Sequence, residues 1–126
     1  MRLALRVSEE GEVTDLDLDA PEGALNVLQT AVDGNIEPVM LTDDLEFYVD
    51  EEGLYNKTAH NGVAEMLYRV TYNDVIPLMG PAVFTGGIDE EGETRGLSDE
   101  TARRVRGAAR TVCLLGNGIV WELLQP

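Results

Sequence analysis

In MRLALRVSEEGEVTDLDLD, residues 1–19, Leu3, Leu5 and Val7 alternate with Arg2, Ala4 and Arg6. After the turn SEEGE, Leu16 and Leu18 alternate with Asp15, Asp17 and Asp19. A period of two puts successive side chains on opposite faces of a strand, so this opening is a β-hairpin with one apolar and one wet face. PEGALNVLQTAVDG (21–34) then changes period. Leu25, Leu28 and Val32 fall at helical spacing, Pro21 belongs to the first turn, and Gly34 sits where a left-handed cap is favourable.

NIEPVML and DLEFYVDEEG follow as two extended segments joined at Thr42–Asp44, with Leu45, Phe47 and Val49 on one face. Pro38 cannot donate to a ladder, so its strand is an edge or carries a bulge. DVIPLMGPAVFTGG (74–87) is an apolar run broken by Pro77, Gly80 and Pro81, which reads as a buried strand entered through a turn. IDEEGETRG is a polar loop, and Ser98 caps the helix DETARRVRGAAR. TVCLLGNGIVWELL reads as a terminal hairpin around Gly116, Asn117 and Gly118, a continuing helix being the alternative. The expected fold class is α+β: a mainly antiparallel sheet, two longer helices and one short helix, in one domain over 1–126.

The chain holds 24 Asp and Glu against nine Lys and Arg, a formal charge of −15. The imbalance is uneven: residues 1–63 carry 15 acids and three bases, net −12, and residues 64–126 carry nine acids and six bases, net −3. Such a charge repels phosphate backbones and anionic lipid, so neither direct nucleic-acid nor membrane binding is expected. Cys113 is the only cysteine, which rules out an internal disulfide and fits a reducing, cytoplasmic setting. The apolar start is broken by Arg6 and does not match a secretory leader.

Asp15, Asp17 and Asp19 resemble the opening of a calcium loop, but Ala20 stands where glycine is needed and Asn26 where the bidentate Glu is needed. On a strand the outer two lie roughly 13 Å apart, too far for one ion. No metal site and no cofactor are expected. The acid pairs at Asp43–Asp44, Asp50–Glu52 and Asp89–Glu91 sit beside turns, where exposed carboxylates lack the contrast in environment that acid–base catalysis requires. Lys57 and His60 are the single lysine and histidine, and with Asn61 they form the loop in which an enzyme would have to work. Cys113 lies in an apolar context and reads as packing. Arg103, Arg106 and Arg110 make a basic stripe on the last helix, beside Arg104. That stripe pairs either with the molecule's own carboxylates or with a partner, which includes the acidic half of a second copy in a homodimer.

Asn61 before GVAEMLY is a good helix cap, with Glu65 in the first turn and Val63, Met66 and Leu67 on an apolar face. DEEGLYNKTAHNGVAEMLY followed by DVIPLMGPAVFTGG resembles the domain of unknown function 3846, a family of small phage, mobile-element and bacterial proteins. The likeness rests on Glu51, Glu52, Gly53, Asn61, Ala64 and Gly80, and it extends through LQTAVDGNIEPVML to cover roughly residues 1–100. It carries over no catalytic residue, and it does not extend to the terminal hairpin. It implies an accessory protein acting on host machinery. The expected function is non-enzymatic binding of a host or self protein surface, through Asp15, Asp17 and Asp19 or through Arg103, Arg106 and Arg110. The rivals are a DNA mimic that occupies a nucleic-acid-binding protein, and a small enzyme built on Lys57, His60 and Asn61.

Overall fold

The computed structural model describes residues 1–126, with Asn117 described by its backbone alone. Strands β1 (Leu3–Val7), β2 (Val13–Asp17), β3 (Ile36–Thr42), β4 (Leu45–Asp50) and β5 (Ala82–Thr85) form one antiparallel sheet in the order β2-β1-β5-β4-β3. The helices are α1 (Ala24–Val32), α2 (Gly53–Asn56), α3 (Gly62–Tyr72), α4 (Asp99–Leu115) and α5 (Asn117–Leu124). The fold class is α+β. The two early hairpins do not touch each other through the ladder; β5, far later in the chain, enters between β1 and β4 and joins them.

Both faces of the sheet are covered. On one, Leu28, Ala31 and Val32 of α1 pack on Ala4, Tyr48 and Val83. On the other, Leu5, Phe47 and Phe84 meet Val63 of α3, Val105 of α4 and Val120 of α5. Every residue of β4 and β5 is buried, as central strands require when helices lie on both sides. The wet face expected of the first hairpin is therefore only a rim. Asp15 and Asp17 oppose Leu5 and Leu3 on the outer strand β2, at the margin of the α4 side.

Pro38 lies on edge strand β3, whose register also shifts between Met40 and Thr42, so it occupies an edge and the strand carries an irregularity further along. Helix α1 begins after Pro21, at Ala24, and its left-handed cap residue is Asp33 (φ 55°) rather than Gly34. Gly34 serves another need: a Cβ there would lie 2.7 Å from the Asp50 carboxyl carbon. Ser98 caps α4 as expected, its hydroxyl accepting from the Thr101 N–H at 3.2 Å.

The terminal hairpin is not formed. Helix α4 runs on to Leu115, Gly116 (φ 88°) breaks it, and α5 starts at once. An unbroken apolar run does not reveal its own period. Here Val112 and Val120 are held against Gly62 of α3, where the helix pair α4–α5 buries them. Cys113 is exposed rather than packed, its thiol donating to the Glu10 carbonyl at 3.2 Å. Among the described residues no helix is long and apolar enough to cross a membrane.

Candidate functional site

The loop 51–61 folds against the segment that precedes β5. At its start the Asp50 carboxylate is buried and accepts the Glu52 N–H at 2.9 Å. The single turn of α2 then brings Lys57 back, its Nζ 3.4 Å from Asp50 Oδ2 and 3.6 Å from Asp33 Oδ2, and donating to the Asp33 carbonyl at 3.0 Å. Burial pushes the Asp50 pKa up, but the Glu52 N–H, the Asn56 amide and the Lys57 ammonium together outweigh it and hold it below the ordinary value. Asp50 is thus not the exposed turn carboxylate expected of it. Gly80 (φ 86°) gives Lys57 its path, since a Cβ there would lie 2.7 Å from Lys57 Cγ.

Asn61 is wholly buried. Its side-chain oxygen accepts the Ala64 N–H at 3.1 Å and so caps α3, and its amide donates to the carbonyls of Val7 and Gly80, each at 3.0 Å. One side chain therefore ties a helix start, a central strand and the loop before β5. His60 turns elsewhere: its Nδ1 shares a 2.6 Å hydrogen bond with Glu65 Oε2, and its ring stacks on Trp121 of α5 with centroids 4.4 Å apart. Glu65 Oε2 also accepts the Leu78 N–H at 3.0 Å, and burial, opposed by that N–H and by His60, raises the Glu65 pKa. Lys57, His60 and Asn61 do not converge on one cleft. Lys57 is committed to Asp50 and Asp33, whereas Asn61 directly and His60 through Glu65 hold the strip of backbone Leu78–Gly80, which is also held by Asn61 N–H to Leu78 O at 2.7 Å and Gly80 N–H to Ala59 O at 2.9 Å.

What the strip builds is a groove of about 280 Å³ between it and strands β3 and β4. Val39, Val49, Ile76 and Leu78 give it an apolar floor, and Leu54 of α2 stands at its side. Glu37 and Glu51, both exposed, and the buried Asp50 contribute its carboxylates. Among the described residues no group of three or more metal-ligating side chains occurs.

The two surfaces expected to bind a partner meet each other. Arg106 Nη2 lies 2.8 Å from Asp15 Oδ1, so the arginine helix is pinned to the acidic hairpin within one chain. Asp19 is held by Arg2 at 2.6 Å, which keeps its carboxyl below the ordinary value, and Asp17 accepts the Asp19 N–H at 2.9 Å. Arg103, Arg104 and Arg110 are exposed and form no ion pair among the described residues.

A family model described as domain of unknown function (DUF3846) matches residues 1–109. The chain belongs to this family. The match takes in the sheet, the groove and α4 as far as Ala109; α5 and its Trp121 lie beyond it. No curated protein and no solved structure matches the chain. In this DUF3846 protein Asn61, and His60 through Glu65, anchor the wall of the groove without lining it, and the lining itself was not legible. Glu37 and Val39 sit on an edge strand, and Ile76 and Leu78 lie more than 35 positions later. The one available signal was the apolar run at 74–87, whose residues Ile76–Met79 are its wall.

Proposed function

We propose that this DUF3846 protein is a non-enzymatic binding accessory of phage or mobile-element type, which engages a basic surface of a host protein through its acidic first half. The observation that carries the reading is the charge asymmetry, net −12 over residues 1–63 against net −3 over residues 64–126. A one-sided field of this kind steers association and selects for complementary surfaces. The inward commitments of Lys57, Asn61 and Glu65 support it, because side chains that hold a loop together are not presented to a substrate. The mimicry version needs a continuous band approaching one charge per about 1.7 Å. Arg2 on Asp19 and Arg106 on Asp15 interrupt that band, which favours an ordinary basic protein surface.

Affinity capture with the full chain from a lysate of cells that carry the gene tests the reading. One defined protein should be retained, released by raised salt, and lost to the Glu10→Gln, Asp43→Asn, Asp44→Asn triple variant, whose sites are exposed. Retention indifferent to both salt and the variant would contradict the proposal. So would a turnover that disappears with His60→Ala and returns with wild type.

A further inference from the structure

We infer that the groove between β3 and the Ile76–Met79 strip is the docking point for a cationic anchor, an arginine or lysine flanked by an apolar residue on an exposed segment of a partner protein. This deepens the protein-binding reading and rests on it. At about 280 Å³ the groove is at or below the lower end of small-molecule pockets, which span about 300–1,000 Å³, and it suits one or two side chains. Its floor of Val39, Val49 and Ile76 accepts an aliphatic stem. Its charge selects the head group. Lys57 answers Asp50, but Glu37 and Glu51 carry no ion pair among the described residues. An anionic occupant would be repelled, and a purely apolar one would strip water from two carboxylates, of which Glu51 has the Asn35 amide at 3.3 Å as a neutral partner and neither has a cation among the described residues.

Recognition here works through side chains and not by adding a strand. Pro38 offers no N–H on edge strand β3, and the Tyr72 hydroxyl already donates to the Met40 carbonyl. The far wall is held in place before anything binds, by the Asn61, Glu65 and Ala59 bonds to Leu78 and Gly80, which lowers the ordering cost of association.

The test is an NMR titration of the full chain with the peptide acetyl-Gly-Leu-Arg-Leu-Gly-amide, and with the same peptide carrying Glu in place of Arg. The Arg peptide should shift the methyl signals of Val39 and Ile76, and the Glu peptide should not. Glu37→Gln/Glu51→Gln and, separately, Leu54→Ser should each weaken binding by about fivefold, as expected for partly exposed contacts. Glu90→Gln/Glu91→Gln removes the same charge from an exposed loop elsewhere and should change it by less than about twofold. Equal weakening by the two double variants would overturn the groove while leaving acidic protein binding intact, since it would show attraction by the whole field. Methyl shifts centred away from Val39 and Ile76, or no binding of the Arg peptide, would also overturn it, and the capture experiment judges the broader reading separately.

Discussion

Thr85 is buried on β5 with its hydroxyl unpartnered among the described residues, and it stands opposite Glu46 of β4, whose Oε1 is in the same position. Neighbouring Tyr48 has its pKa pushed up to about 12, by burial first and then by Glu46. An unpaired buried hydroxyl costs stability that an isosteric methyl does not. Thr85→Val should therefore fold at least as stably as wild type, with a gain of up to about 1 kcal/mol in urea unfolding; a loss of that size would reveal a bond to this hydroxyl. Glu65 presents the opposite kind of test. Burial lifts its folded pKa above the ordinary 4.5, so the folded state holds the proton more tightly than the unfolded state. Its contribution to stability is then fully present below pH 4.5 and falls as pH rises through the folded pKa. Glu65→Gln should abolish that fall, so the stability difference between variant and wild type, followed by urea melts from pH 4 upward, should move in the variant's favour. Asp50, lowered from 3.8, works the other way and loses its contribution only as pH drops below that value.

At the scale of elements, the helix starts with a side-chain cap were the most legible features, because such a cap is decided by residues three apart, whereas α1, α2 and α5 have none. Ser98 and Asn61 both do what their sequence positions indicate. Asn61 does more, and its two bonds to Val7 and Gly80 could not be read from the helix it caps. Asn61→Ala should cost about 3 kcal/mol, about one for the lost cap and the remainder for two buried carbonyls left without their donor. A loss near 1 kcal/mol in thermal or urea unfolding would reduce Asn61 to a cap alone. The terminal segment misleads for a related reason. Gly116, Asn117 and Gly118 between apolar runs carry a hairpin's turn chemistry, yet a glycine with positive φ breaks one helix from the next equally well. Only the surface of α3 around Gly62, close enough for a Cβ to lie 3.3 Å from Val112 and Val120, selects the helical pair.

Over the whole molecule, a formal charge of −15 on 126 residues makes the folded state repel itself. Added salt should raise the melting temperature between low ionic strength and about 0.15 M, where screening length falls to about 8 Å. A flat or falling response would mean that local pairs such as Arg2–Asp19 and Arg106–Asp15, which salt weakens, outweigh the general repulsion. The sequence by itself determined the class of fold, the helix starts at Asn61 and Ser98, the restriction of Pro38 to an edge or a bulge and the one-sided acidity, because each follows from composition or from residues a few positions apart. Tertiary structure alone decided that β5 lies between the two hairpins, that Asp50 and Glu65 are buried, that Arg106 faces Asp15, and that β3 and the Ile76–Met79 strip enclose a groove. Those outcomes depend on packing between segments tens of residues apart, where the free energy of burial is settled by which surfaces meet and not by local propensity.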